Sequence, residues 1–278
     1  MKKTILITGC SSGIGHCVAK GLQARGYRVF ATARKRESVQ ALLAEGLESF
    51  QLNLTDSNSI NFAFEEAMRR TQGELYALFN NGAFGLPGAV EDLSRDALRA
   101  QFETNVFGWQ ELTNLVIPVM RRQGYGRIIQ NSSVLGFVAL PFRGAYNASK
   151  YAIEGLSDTL RLELQGSNIH VSLIEPGPIA SQFRTNAVKA LSKYIDIANS
   201  FHRERYQGVL NRLNKPGPAV PFTLPPEAVL ERVIHALEAS RPQARYYVTF
   251  PTHLFGLLKR ILSTRALDVL LAKSGNNN

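Results

Sequence analysis

From Ile5 to Ile174 short apolar runs alternate with longer amphipathic stretches, and this rhythm constrains the fold more than any other feature of the chain. Ile5-Leu6-Ile7 reads as a buried strand, followed by a Gly/Ser turn and a helical run from Cys17 to Arg25 that Gly26 ends. Tyr27 to Ala31 and Ser49 to Leu54 read as the second and third strands, with a helix from Glu37 to Glu45 between them. A helix from Ser57 to Thr71, capped by Asp56 or Ser57, precedes a strand from Tyr76 to Phe79. Two helices across residues 95–122, a strand from Gly126 to Ser132, a helix from Ala145 to Gln165 and a strand from His170 to Ile174 continue the pattern. A helix from Pro226 to Ala239 and a strand from Arg245 to Val248 complete it. Strands separated by helices pair in parallel, and right-handed crossovers cover both faces of the sheet. The expected fold class is therefore α/β, a doubly wound parallel sheet of Rossmann type.

The whole chain, 1–278, is expected to form one domain, with residues 1–177 as the cofactor-binding and catalytic core. After Pro176 the alternation stops, and Lys215 to Pro226 holds five of the 12 prolines. Residues 178–225 are read as a substrate lid, since ligands in such sheets bind beyond the carboxyl ends of the strands. A surface excursion without a role is the other reading. Residues 250–272 form an amphipathic helical extension, with Leu254, Leu257, Leu258, Ile261 and Leu262 interleaved with Lys259, Arg260 and Arg265. Packing on its own domain or a homo-oligomer contact is expected ahead of association with a membrane surface.

Composition narrows the function classes. Hydrophobic residues at 45% and charged residues at 19% suffice for a sizeable core. Lys and Arg outnumber Asp and Glu by 32 to 22, a balance that suits an anionic ligand, nucleic acid or a membrane surface. The basic residues are scattered apart from Arg34-Lys35-Arg36, so no nucleic-acid partner is expected. Cys10 and Cys17 offer neither a disulfide framework nor a metal cluster. No metal is expected, and the thiols suit a reducing compartment. The start, Met1-Lys2-Lys3, is basic, but the apolar run after it stops at Ile7, short of a signal sequence. No stretch approaches the ~20 uncharged residues of a spanning helix, so a cytoplasmic protein is expected.

Gly9-Cys10-Ser11-Ser12-Gly13-Ile14-Gly15 lies between a strand and a helix. Glycines there let backbone N–H groups approach a phosphate, and the helix N-terminus favours negative charge. No acid to hold a ribose hydroxyl occurs between Gly15 and Glu37, and strand two is followed by Arg34 instead. A guanidinium at that position suits a 2′-phosphate, which selects NADP(H). Lys35 and Arg36 are read as a solvated helix start.

Tyr146 and Lys150, spaced i, i+4, share a helix face. An ammonium beside a phenol favours the phenolate and equips the pair for proton exchange with a carbonyl or alcohol. Ser133, at the carboxyl end of strand five, is placed to donate to the oxyanion, and Ser132 to cap the turn.

These residues resemble the short-chain dehydrogenases/reductases, from the Thr8–Gly15 turn to Pro176-Gly177. Within that family they look nearest to bacterial NADP-linked aldehyde reductases and to 17-beta-hydroxysteroid and retinol dehydrogenases. The resemblance implies a catalytic tetrad of Asn105, Ser133, Tyr146 and Lys150. Asn105 would hold a water that links Lys150 to solvent, and Tyr146 and Lys150 would also contact the cofactor. It further implies cofactor contacts from Gly9, Ser11, Ser12, Gly13, Ile14, Asn53, Leu54, Asn81, Gly82, Pro176, Gly177, Ile179 and Ser181. Three positions depart from the family pattern. Asn80-Asn81-Gly82-Ala83 stands for N-N-A-G, Asn53 for the Asp that accepts from the adenine amine, and Ser181 for a Thr that reaches the carboxamide. Phe84, Leu86, Leu135, Phe137, Phe142 and Phe183 are expected to wall an apolar pocket. The expected activity is interconversion of a lipophilic aldehyde or ketone with its alcohol. The alternative is a catalytically silent NADP-binding regulator.

Overall fold

The computed structural model describes residues 2–218 and 220–276. Met1, Ala219 of the expected lid and Asn277-Asn278 of the tail lie outside the described residues. Seven parallel strands form one sheet: β1 (Thr4–Ile7), β2 (Arg28–Ala33), β3 (Glu48–Gln51), β4 (Ala77–Asn80), β5 (Gly126–Asn131), β6 (Ile169–Glu175) and β7 (Arg245–Tyr247). Their order is β3-β2-β1-β4-β5-β6-β7, so the winding reverses between β1 and β4 and opens a crevice at the carboxyl ends.

Period-two alternation along the strands builds a core on each face. Ile5 and Ile7 join one cluster with Val18 and Leu22 of α1 (Gly13–Ala24), Val39 and Leu42 of α2 (Arg36–Ala44), and Val229 and Val233 of α9 (Glu227–Glu238). Leu6 faces the other way. It joins Ile60 of α3 (Ser57–Thr71), Trp109 and Leu112 of α5 (Gly108–Gln123), and Ile153 of α6 (Gly144–Glu163).

β3 ends earlier than the apolar pattern predicts. The Leu52 N–H still donates to the Ala33 carbonyl, but the Asn53 N–H donates to Ser59 Oγ and turns the chain into α3. Asp56, rather than Ser57, caps α3, accepting from the Asn58 N–H at 3.0 Å. The expected helix pair is α4 (Arg95–Phe102) running through a π-helical turn at Glu103–Phe107 into α5. Gly108 sits where α5 presses on the loop after β3. A Cβ there would lie 2.0 Å from the Leu54 carbonyl oxygen. Gly108→Ala should therefore lower unfolding stability by roughly 2–3 kcal/mol, the scale of overpacking a rigid contact. A urea midpoint equal to the parent's would count against this.

The expected lid contains α7 (Phe183–Tyr194) and α8 (Arg203–Asn214), which share an apolar cluster formed by Leu191, Ile195, Tyr206 and Val209. The Tyr206 hydroxyl donates to Asp92 at 2.6 Å and accepts from the Ala89 N–H at 2.8 Å, docking the lid on the loop after β4. A two-residue neck closes it: Ile179 and Leu224 form a parallel bridge, flanked by Ala180 N–H to the Leu224 carbonyl and Leu224 N–H to the Pro178 carbonyl. The C-terminal extension is a helical hairpin, α10 (Phe250–Ile261) and α11 (Thr264–Asn276). Phe255, Leu267 and Leu271 pack inward on Leu135 and Val138. Among the described residues no helix is long and apolar enough to cross a membrane.

Candidate active site

The glycine turn after β1 fits a phosphate-bearing ligand. Gly9 and Gly13 have φ of +72° and +58°, and a Cβ on Gly15 would lie 2.3 Å from the Gly9 carbonyl oxygen. Ser12 at the head of α1 is extended and makes no side-chain cap, and no acid stands in the first turn. The amide groups of that turn therefore keep an electropositive end, which suits a pyrophosphate. Arg34 follows β2 directly and is exposed, with its carbonyl accepting from Gln51 Nε2 at 2.8 Å.

Hydrogen bonds connect this turn to the lysine of α6. Thr8 Oγ1 accepts from the backbone N–H groups of Asn81 (2.9 Å) and Gly82 (2.8 Å). Asn81 Nδ2 donates to the carbonyls of Thr8 (3.0 Å) and Gly9 (3.1 Å), and Asn81 Oδ1 accepts from Asn131 Nδ2 (2.9 Å). Lys150 Nζ then donates to the Asn131 carbonyl at 2.6 Å. It lies 4.3 Å from the centre of the Trp109 ring, whose Nε1 donates to the Gly82 carbonyl at 2.7 Å. The exchanged glycine at position 82 keeps the backbone close to Gly9, since a Cβ there would meet Gly9 N at 3.2 Å.

Ser133 lies beside the Tyr146 phenol at the carboxyl end of β5, and its hydroxyl favours the phenolate. Burial outweighs that influence and pushes the Tyr146 phenol above its ordinary value. From the sequence alone, Lys150 is expected to bring it down. Lys150 is itself buried, and desolvation pushes it down to about 7 against the pull of Glu154. Burial thus shifts the two groups in opposite directions, the phenol up and the amine down, each toward its neutral form.

The cap expected of Ser132 belongs to Ser133, whose Oγ accepts from the Leu135 N–H at 3.1 Å. Asn105 is fully buried in the π-helical turn. Its amide accepts from the Phe84 N–H (3.1 Å) and donates to the Phe84 carbonyl (2.9 Å) and Ser149 Oγ (3.1 Å). That side chain pins the loop after β4 to α6. Asn53 Oδ1 accepts from both the Thr55 hydroxyl (3.1 Å) and the Thr55 N–H (3.4 Å), so both its lone pairs are engaged within its own turn. Ser181 packs on the glycine turn, its Cβ 2.9 Å from where a Cβ on Gly13 would stand. Pro176 and Gly177 cross the same rim. The Pro176 carbonyl accepts from the Val134 N–H at 2.8 Å, and a Cβ on Gly177 would collide with Thr249 Oγ1.

The expected apolar walls divide. Phe183 stacks edge-on against Tyr146 at 5.4 Å, and Leu135 and Phe137 share a cluster with Tyr146. Phe142, at φ +59°, instead packs into the lid, 5.2 Å from the Tyr206 ring. Leu86 is fully buried core. Phe255, Leu267 and Leu271 of the C-terminal hairpin take up the wall beside Tyr146, a role the sequence did not signal.

A buried charge cluster below Lys150 was also missed. Arg245 on β7 binds Glu154 (3.0 Å) and Asp158 (2.7 Å) of α6 and Glu175 (3.1 Å) at the end of β6. Burial holds both Glu154 and Glu175 above the ordinary carboxylate range, with Arg245 opposing. The available signal was Glu154, one helical turn beyond Lys150.

The family model for short chain dehydrogenase matches residues 3–192, more than half of the chain. The protein is a short-chain dehydrogenase/reductase. Among its relatives, the Escherichia coli K12 oxidoreductase YbbO is 41% identical over 98% of this chain and 94% of its own length. Human 17-beta-hydroxysteroid dehydrogenase type 1 is 35% identical over 89% of this chain and 78% of its own. An NADPH-dependent 3-dehydrocapnine reductase from Ornithobacterium rhinotracheale is 30% identical over 96% and 95%. A solved short-chain dehydrogenase from Streptomyces avermitilis superposes with a TM-score of 0.77 at 26% identity, covering 94% of this chain and 93% of that one. The family's oxidoreductase class and its single-domain Rossmann-type fold hold for this chain.

Proposed function

We propose that this short-chain dehydrogenase/reductase is an NADP(H)-dependent carbonyl reductase that converts a lipophilic aldehyde or ketone to its alcohol, with Tyr146 as proton donor. The observation that carries this reading is the placement of Tyr146 with Ser133 and Lys150 on the rim that holds the glycine turn and Arg34. NADP(H), when bound, supplies the hydride. Gly9, Ser11, Ser12, Gly13 and Ile14 would hold its pyrophosphate, Arg34 its 2′-phosphate, and Asn53 and Leu54 its adenine. Asn81, Gly82, Pro176, Gly177, Ile179 and Ser181 would flank the rest, and Lys150 its nicotinamide ribose.

Ser133 donates to the carbonyl oxygen as negative charge develops there, while Tyr146 transfers its proton to the same oxygen. Lys150, while charged, stabilises the phenolate left behind. Asn105 acts by position, fixing the Phe84 backbone against α6. Phe84, Leu135, Phe137 and Phe183, together with the C-terminal hairpin, favour an apolar substrate and exclude water. An NADPH-dependent relative of nearly equal length supports the choice of cofactor.

The decisive experiment follows NADPH consumption against a panel of aliphatic, aromatic, steroid and retinoid carbonyls, with NADH in parallel. The expected result is turnover of lipophilic members with NADPH preferred. NADPH binding without consumption of any carbonyl would point instead to a regulatory protein.

A further inference from the structure

The C-terminal hairpin is apolar on both sides. Its inner side closes on Leu135, Val138 and Tyr146. On its outer side Phe250, Leu254, Leu257 and Ile261 recur at steps of four, three and four, one stripe along α10, and all four stand exposed. Leu257 is 58% and Ile261 65% exposed. Phe222, from the segment before the lid's neck, adds to the patch: its ring lies 4.9 Å from that of Phe250 and is likewise exposed. Phe222 has φ +60°, a left-handed backbone unfavourable for a bulky side chain. Isolated apolar residues on a surface need no explanation, but a continuous helical stripe with a strained aromatic beside it does.

The charge of the same hairpin says what covers it. Residues 250–276 contain Lys259, Arg260, Arg265 and Lys273 against a single acid, Asp268. Lys259 donates to the Phe137 carbonyl, and Arg260 on α10 and Arg265 and Lys273 on α11 stand exposed. A second copy of the chain is the poorer occupant. A self-complementary contact would set these cations against themselves in molecules that each carry +10. A helix of 12 residues rises only about 18 Å, so α10 can lie on a bilayer but not span it.

We infer that the outer face of α10, with Phe222, docks on an anionic lipid surface. Docking sets the hairpin that walls Tyr146 against the layer in which a lipophilic carbonyl dissolves. That last consequence rests on the proposed reaction, whereas the docking does not.

The test sediments the full chain with vesicles of phosphatidylcholine alone or of phosphatidylcholine mixed equally with phosphatidylglycerol, and measures no turnover. The chain should sediment with the mixed vesicles, less with the neutral ones, and less as salt rises. The double variant Leu257→Glu/Ile261→Glu, at exposed positions, should bind the mixed vesicles at least about tenfold more weakly while keeping the parent's thermal midpoint. Arg260→Glu/Arg265→Glu should abolish the preference for anionic over neutral vesicles. Parent protein that stays in the supernatant, or a Leu257→Glu/Ile261→Glu variant that sediments as the parent does, overturns the inference. So does a parent dimer in sedimentation equilibrium that Leu257→Glu/Ile261→Glu dissociates, since that assigns the face to a second copy.

Discussion

Tyr146→Phe should lower kcat/KM for carbonyl reduction by about three orders of magnitude and leave NADPH binding, read by quenching of protein fluorescence, within about twofold of the parent. The substitution removes one hydroxyl and keeps the ring that stacks on Phe183, so the cleft should retain its shape. Ser133 remains to polarise the carbonyl, but no proton stands ready for its oxygen. In the parent the rate should fall as pH rises through about 7. Lys150 is charged below that value and neutral above it, and only the ammonium supports the phenolate that Tyr146 becomes. A Tyr146→Phe variant that reduces aldehydes at the parent rate, or a parent rate that climbs through this window, would remove Tyr146 and Lys150 from their proposed roles.

Arg34→Asp should swing the ratio of kcat/KM for NADPH over NADH by about a hundredfold toward NADH. Two effects act in the same direction. Losing charge-assisted hydrogen bonds to a 2′-phosphate costs about 1.5–3 kcal/mol, and a carboxylate in the same place repels the phosphate while accepting from a ribose hydroxyl. Arg34 is exposed and touches the fold through its carbonyl, so its side chain can be exchanged without disturbing β2. An unchanged ratio would show that the 2′-phosphate, if bound, lies elsewhere.

What the sequence made legible was local or periodic. The period-two faces of Ile5-Leu6-Ile7, the strand-to-helix turn at Gly9–Gly15 and the i, i+4 placement of Tyr146 and Lys150 all follow from spacing along one segment. The fold class could be read from such signals, as could both ends of the candidate site. What stayed hidden depends on which distant segments meet. Arg245, Glu154 and Glu175 come from β7, α6 and β6, and nothing in their separate neighbourhoods announces a shared buried charge cluster. The inner face of α11 looks like any amphipathic stripe until it closes beside Tyr146. Phe142 is close to Tyr146 in sequence, yet its positive φ turns it into the lid. Neighbouring serines 132 and 133 differ only in which one the backbone turns toward the Leu135 N–H.

The narrow neck at Ile179 and Leu224 has an evolutionary corollary. A segment that leaves and rejoins the sheet through one bridged pair is a cassette. Its two anchoring points stay adjacent however long the intervening chain becomes, and lengthening it adds only a slowly growing closure entropy. Related enzymes could therefore exchange this whole segment between these two residues, while Tyr146, Lys150 and the glycine turn after β1 keep their places.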